Sequence, residues 1–431
     1  MALLKTIFSV SQQTRFQVSC VVLIFASLTG VCQAEGEIWQ MLERDGDVLD
    51  LMAMEAIADR VLVVGARYEE QQWQGEKDPP DEQTIETVVR KPLHIISLNS
   101  REQVEWQHSY PAIPDVNEIF SVSTTKNGHL CIAYGRNYVE NEFINPVVLQ
   151  VDAKGKITWA DLKAIPESSL PDTSELSYLQ IANLESIRVV GTPDNGCLLG
   201  YILRHESKER ETLQLNLIMI NKEGDAKWHF KRETALYGKM FLVKNADADD
   251  YIVIQTNQSR DAAIQAMMAG QPFSPKTSML VVSDKGELKK FYDYEKLNDL
   301  SKVWVKHAAD AMGEKILLAG NSKNAWVGFI DEDGRVNKIN NNLVGEFSYV
   351  GNNQSNGYIL VRGASIVALD KQLNLQLDKT IDQIIKKKYA NAYLEKQLPE
   401  QGPIQNIVPL TKNAYLILYK LASRLQKIVL P

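Results

Sequence analysis

One module recurs along this chain. A repeat constrains a fold strongly, because each copy must bury its faces against the next. The module is a short apolar strand, a tight polar turn, a second apolar strand, a variable connection and a third strand. A turn of the form Asp/Asn/Ser-x-x-Gly and a fourth strand, often marked by Trp, complete it. The second strands are plainest, at 61–65, 130–134, 197–201, 251–254, 316–319, 358–361 and 415–419. Three of them follow Asn127-Gly128, Asn195-Gly196 and Asn356-Gly357. Asn-Gly between apolar runs signals a hairpin, because both residues tolerate positive φ.

The third and fourth strands form a second hairpin. Asp152 and Gly155 are followed by Trp159, and Asn221 and Gly224 by Trp228. Asn99 and Trp106 keep that spacing with Glu102 in the glycine place. Ser283/Gly286 and Asp331/Gly334 repeat the turn, but Lys290 and Lys338 stand where Trp would be, and Asp370 opens a degenerate sixth copy.

Four short strands per copy, seven times, predict an all-β fold, a seven-bladed β-propeller with four-stranded blades. The last copy stops at Pro431 after its third strand. Gly36-Glu37-Ile38-Trp39 resembles Gly155-Lys156-Ile157. Residues 35–42 are therefore expected as the outer strand of blade seven, closing the ring and removing two sheet edges. On this reading 35–431 is one propeller domain.

Lys5 and Arg15 are the only charges among the first 34 residues, and 18–31 is a continuous, mainly apolar run. That run is short for a membrane span, which needs about 20 apolar residues. Cys32-Gln33-Ala34 then supplies small residues at −3 and −1 of a cleavage point. The pattern reads as a signal peptide over 1–34 and a periplasmic or secreted protein. Lipoprotein anchoring at Cys32 is the weaker reading, since Thr29 and Val31 suit a lipobox poorly; whether the leader is cleaved or retained as an anchor stays open. Past residue 34 no run is long enough for a transmembrane segment.

Cys131 and Cys197 remain beyond the leader. Cys131 is three residues past its hairpin glycine and Cys197 one past its own. Both offsets are odd, which places both on like faces of equivalent strands. Two free, buried thiols are expected.

The hairpin V-x-x-x-D-x-x-G-x-I-x-W, carried by Val148, Asp152, Gly155, Ile157 and Trp159, resembles the tryptophan-marked repeats of pyrroloquinoline-quinone-like propellers. The strands also resemble those of secreted bacterial propellers. The resemblance covers nearly all of 35–431 and implies a propeller. It implies no redox chemistry, because no cofactor-binding run accompanies it, and no cofactor is expected.

Function has to be sought in the connections. The turns between strands one and two, and three and four, are short. The connections between strands two and three, and between blades, carry the insertions, notably 68–92, 257–277 and 382–401. Long loops concentrated on one face suggest a binding surface. The 68–92 insertion is acidic with Trp73 in its middle, Tyr138 and Phe143 sit similarly in blade two, and Arg204 and His205 lie in the blade three insertion. These five are the candidate binding residues, since aromatic and arginine side chains make good anchors. Segments 262–269 and 384–394 read as helical.

No catalytic constellation is visible. The six histidines show no metal-ligand spacing, and neither a G-x-S-x-G elbow nor a P-loop is present. With Lys+Arg 47 against Asp+Glu 54 and a formal charge of −7, a nucleic-acid partner is not expected. The expectation is a binding or scaffold protein recognising a protein or cell-envelope component through its long-loop face. An envelope assembly factor and a toxin-neutralising immunity protein are two versions of it. The alternative is a glycan-active hydrolase or lyase with carboxylates at the channel mouth.

Overall fold

The structure is a computed structural model. It describes residues 49–429 except for gaps, the longest being 75–84, 137–144, 161–178, 258–266, 294–304 and 384–403. The leader and 35–42 lie outside the described residues, as do most of the two expected helices. Of 262–269 only Met267 and Met268 are described, both helical, and 384–394 lies wholly outside the described residues.

Every sheet is antiparallel, built from hairpins. In blade one, β1 (Leu49–Ile57) pairs with β2 (Arg60–Arg67). A separate hairpin follows, β3 (Glu69–Gln74) with β4 (Ile85–Arg90). β5 (Leu93–Asn99) and β6 (Val104–Tyr110) then finish the sheet. Blade two is β7 (Val116–Thr124), β8 (Leu130–Arg136), β9 (Asn145–Val151) and β10 (Ile157–Ala160). In blade three the innermost position is shared by β11 (Leu179–Ile181) and β12 (Arg188–Gly191), both paired with β13 (Cys197–Glu206). β14 (Glu211–Ile220) and β15 (Ala226–Thr234) complete it.

Blade four is β16 (Met240–Asn245), β17 (Asp250–Thr256), β18 (Thr277–Val282) and β19 (Leu288–Tyr292). Blade five is β20 (Val305–Ala311), β21 (Glu314–Gly320), β22 (Asn324–Ile330) and β23 (Val336–Val344). Blade six is β24 (Tyr349–Asn353), β25 (Gly357–Arg362), β26 (Ser365–Asp370) and β27 (Leu375–Thr380). A last sheet has three strands, β28 (Ile404–Pro409), β29 (Ala414–Tyr419) and β30 (Arg424–Val429).

The fold is thus an all-β propeller with four-stranded blades. Six sheets reach four strands or more, where seven complete blades were expected. The difference lies in the final sheet, whose expected fourth strand falls outside the described residues.

Second strands are buried on both faces, so they read as continuous apolar runs. Alternate side chains serve the two neighbouring blades. Leu130, Ile132 and Tyr134 pack toward blade one, while Cys131 and Ala133 pack toward blade three. The three-stranded sheet meets blade six through Ile404, Ile407 and Tyr415, and blade one through Val408, Leu416 and Leu425.

Cys131 and Cys197 form a disulfide with Cα atoms 6.0 Å apart, which corrects the expectation of free thiols. The error lies in the anchor of the count. In blade two the left-handed turn residue is Gly128 (φ 81°), but in blade three it is Asn195 (φ 66°), not Gly196. Counted from those residues, Cys131 is at offset three and Cys197 at offset two. The two side chains therefore face each other across the blade interface. Gln150 braces the site, its Nε2 donating to Asn195 O at 2.7 Å.

The turn between strands three and four is one structure repeated. Its first side chain accepts two backbone N–H groups. Lys154 N and Lys156 N both lie 2.9 Å from Asp152 Oδ1. Arg101 N and Gln103 N meet Asn99 at 2.9 and 3.0 Å. The same pairing recurs at Asn221, Ser283, Asp331 and Asp370. Such Asx and Ser turns satisfy the tight bend locally.

In blades two, three and four the fourth residue of the turn meets the outer strand of the preceding blade. A Cβ on Gly224 would lie 2.8 Å from Trp159, and one on Gly286 2.7 Å from Trp228. Glycine there lets an indole lie flat on the neighbouring turn, and Trp228 Nε1 donates to Asp284 O at 2.7 Å.

Candidate functional site

The structure first locates the five residues singled out from sequence. Trp73 stands on β3, opposite Glu86 on β4, so the middle of the acidic insertion is flanked by a two-stranded arm. Arg204 and His205 are strand residues of β13, opposite Leu213 and Thr212 of β14, which corrects their placement in a loop. The blade three sheet is simply longer here, with β11 paired to β13 at Arg204 and His205 and β15 paired to β14 at Leu213. Tyr138 and Phe143 lie outside the described residues. Trp73 belongs to blade one and Arg204/His205 to blade three, so these positions form no single cluster.

The arm, the long β13–β14 hairpin and the 257–276 connection all join strand two to strand three. In antiparallel blades those connections emerge on the same side. On the blade four connection Met267 and Met268 are exposed, at 72% and 81%. The opposite side carries turns such as Thr125–His129, closed by Thr125 N to His129 O at 2.8 Å.

A second region emerges only from the fold. The innermost strands β1, β7, β12, β16, β20, β24 and β28 touch in sequence around an axis. Inner edges carry unpaired backbone groups. Side chains meet some of them: Val189 N donates to Ser121 Oγ at 3.1 Å, Gly191 N to Ser123 Oγ at 3.1 Å, and Asn406 Nδ2 to Met54 O at 2.9 Å.

Polar and aromatic side chains from six blades come near the axis. Glu55 on β1 accepts hydrogen bonds from the Thr124 backbone and hydroxyl on β7. Arg188 on β12 lies with its guanidinium carbon 6.0 Å from the Phe241 ring centre on β16. His307 on β20 stands 6.0 Å from Phe241 and 4.9 Å from Tyr349 on β24, ring centre to ring centre. Tyr349 folds along its own strand over Gly351, where a Cβ would collide with its hydroxyl.

Glu55, Arg188, His307 and Tyr349 are deep within the protein yet only partly shielded from solvent, as expected along an axial channel. Burial raises the Glu55 carboxyl to about 8, against which the Thr124 hydrogen bonds act. Burial, with the nearby charges of Arg188 and Lys239, lowers the His307 imidazole to about 3. Burial and the Glu55 charge raise the Tyr349 hydroxyl. At neutral pH the set is a neutral imidazole, a largely protonated carboxyl, a phenol and two cations.

Such a set can bind and orient. Glu55 is its carboxyl among the described residues. Among the described residues no group of three His, Cys, Asp or Glu could hold a metal ion. No helix of the described residues is long and apolar enough to cross a membrane.

Sequence reasoning missed this set because its members share no motif. Glu55, Arg188, His307 and Tyr349 sit on first strands, the least regular of the repeat, at non-equivalent positions.

No protein-family model and no curated protein matches the chain. Solved structures do. A structure described as the Dos1 propeller is similar at 9% identity and a TM-score of 0.42, covering 88% of this chain and 95% of its own. An α-L-arabinofuranosidase from Fusarium graminearum matches at 11% identity and TM-score 0.41, covering 72% and 92%. The acylaminoacyl peptidase of Pyrococcus horikoshii matches at 12% and 0.47; 86% of this chain is covered, but only 49% of the peptidase. These similarities concern the fold, and proteins of such different activities share it.

Proposed function

We propose that this chain is an extracytoplasmic propeller that binds a protein or cell-envelope component through the face bearing its strand two to strand three connections. An envelope assembly factor or a toxin-neutralising immunity protein would work this way. The observation that carries the reading is the β3–β4 arm, which adds a hairpin to blade one on that face without adding to the blade. A hairpin that stands apart from the blade sheet is a connection carried by a rigid scaffold, and such connections often carry binding residues. The Cys131–Cys197 disulfide supports an oxidising compartment, in keeping with a leader over 1–34.

The same proposal includes a seventh complete blade. Trp39 precedes Leu49, the start of β1, by ten residues, and Trp106 precedes Val116, the start of β7, by the same ten. Residues 35–42 as the outer strand beside β30 would reproduce that spacing and cover an open edge.

A crosslinking pull-down tests the reading. The baits are the protein from residue 35 and a version with 68–92 replaced by a short Gly-Ser loop, each in its native envelope fraction. A protein captured by the first and lost by the second is expected. Capture that survives the replacement, or no capture at all, overturns it.

A further inference from the structure

We propose that the outer edge of β4, at Ile85, Thr87 and Val89, takes up an extended, basic segment of a partner protein as a third strand of the arm. This rests on the reading of that face as the binding face, and it names the kind of partner and the way it is held.

The first observation is which backbone groups are spare. The arm keeps the register of the hairpin it grows from. Ala66 of β2 pairs with Leu93 of β5, and Glu69 of β3, three residues on, pairs with Arg90 of β4, three residues back. The two hairpins share one ladder, interrupted at Pro92, which has no N–H to give. Arg67 N donates to Pro92 O at 3.1 Å, which makes Arg67 and Pro92 a hydrogen-bonded pair. Such pairs alternate along an antiparallel ladder. Glu69/Arg90, Gln71/Val88 and Trp73/Glu86 therefore turn their backbone groups inward. Ile85, Thr87 and Val89 turn theirs outward along β4. Leu93 obeys the same alternation, since its N–H points outward and meets Ile113 O at 3.1 Å. Beyond that contact, among the described residues, β4 pairs with β3 alone.

The second observation is the make-up of the edge. A two-stranded hairpin is marginal in water, and a third strand is what steadies it. Natural edges are guarded by lysine, proline or a bulge. β4 reads Ile-Glu-Thr-Val-Val-Arg, with four β-branched residues, no lysine, no proline and no bulge in its pairing with β3. β3 reads Glu-Glu-Gln-Gln-Trp-Gln and has no β-branched residue. Of the two edges, β4 is the one suited to receive a strand.

The third observation is charge. Residues 69–90 carry seven acidic side chains against two basic, and within the strands Glu69, Glu70 and Glu86 stand against Arg90. A basic segment meets a complementary field there and an acidic one a repulsive field. Main-chain hydrogen bonds supply the affinity of an added strand, and the charge selects which segment adds.

The test titrates the full-length secreted protein with a short capped peptide of alternating Lys and Val and, separately, with one of alternating Glu and Val. Binding is read by calorimetry and by hydrogen exchange of the arm amides. The Lys peptide is expected to bind and to slow exchange at Ile85, Thr87 and Val89. Thr87→Pro removes an outward N–H and no bond within the arm, and should weaken that binding about tenfold. Thr87→Val, which keeps the N–H, and Gln72→Pro, its counterpart on the β3 edge, should bind like the parent. The Glu peptide should bind about tenfold more weakly than the Lys peptide. Slow exchange at the inward amides of Gln71 and Val88 shows that the arm is formed in each free variant, and Val89→Pro replaces Thr87→Pro if it is not. No binding of the Lys peptide, or equal binding by Thr87→Pro, overturns strand addition at β4. Equal binding of the Glu peptide overturns the choice of a basic segment. Thr87→Pro as a third bait in the pull-down separates this proposal from the reading it rests on. Capture lost with 68–92 but kept by Thr87→Pro overturns the β4 edge and leaves the face standing, whereas no capture by any bait overturns the face and this edge with it.

Discussion

The outer strands and the channel of this propeller use the same blades in opposite ways. Outside, one solution is repeated. A side-chain oxygen closes each turn on two backbone N–H groups, and in blades three and four an indole from the preceding blade lies over it. At the axis nothing is repeated, and blades one, three, four, five and six each contribute a different group. Repetition is what ring packing demands, because every interface poses the same problem. Departure from repetition at one location has no packing reason, so it marks where this chain does something besides fold. Substitutions in the frame should then lower stability whatever the pH, and substitutions at the axis should change how stability depends on pH.

The largest expected effect is on the frame. The Cys131–Cys197 disulfide closes a loop of 66 residues. Its loss by Cys131→Ala/Cys197→Ala should lower unfolding stability by about 4 kcal/mol, the chain-entropy value for a loop of that length. Urea denaturation of the double variant beside the parent measures this. A change well under 1 kcal/mol would mean that blades two and three are held by packing alone.

Next in size is the clasp between blades. Trp228 lies on the blade four turn in the first half of the ring, whereas Lys290 takes the equivalent place further on. Lys290 Nζ instead pairs with Asp333 Oδ1 at 2.8 Å, joined by the Tyr292 hydroxyl at 3.2 Å. One clasp is apolar and the other ionic at an exposed site. Trp228→Ala should cost about 2–3 kcal/mol, less than a fully buried Trp because part of the ring is wet. Lys290→Met should cost distinctly less, and the difference between it and the parent should shrink in 1 M NaCl while that of Trp228→Ala does not. Melting temperatures at two salt concentrations read both. Equal losses at both salts would erase the distinction between the two kinds of clasp.

Much of this frame was legible in the residues. The apolar second strands and the Asp/Asn/Ser-x-x-Gly turns follow from hydrogen-bonding chemistry that acts within five residues. The errors arose where that local chemistry had two solutions. Asn195 and Gly196 can each take a left-handed conformation, and the choice of Asn195 moved Cys197 to the other face. Arg204 and His205 lie where a hairpin could have turned but kept pairing instead, since β13 and β14 hold register through Glu206 and Glu211. The channel set was not legible at all. Glu55 and His307 are ordinary single residues until the ring brings blades one, five and six to a common axis.

The pH profile sets frame against channel most finely. On the outer turns, hydrogen bonds from Lys290 and Tyr292 hold the Asp333 carboxyl below its usual range, and those from Asn374 lead in doing so for Asp370. Their contribution is present above the ordinary carboxylate range and is lost only as pH falls below about 4. Nearer neutrality other groups decide. The folded state binds the Glu55 proton more tightly than the unfolded chain does, with its carboxyl raised from 4.5 to about 8. Its contribution is therefore full below 4.5 and is lost as pH rises through 8. His307 is lowered from 6.5 to about 3, and His229 on β15 from 6.5 to about 4, in both cases mainly by burial. Their contributions are full above 6.5 and are lost as pH falls. Between 4.5 and 6.5 two histidines outweigh one carboxyl, so stability rises with pH; between 6.5 and 8 Glu55 acts alone, and stability falls. Urea midpoints from pH 4 to 9 should peak close to pH 6.5. Glu55→Gln should flatten the decline above the peak and steepen the rise below it, and His307→Gln should soften the rise without touching the decline. A parent profile level from 6.5 to 8 would place Glu55 in bulk-like solvent and remove it from the channel set, leaving His307 and His229 as the source of the pH dependence.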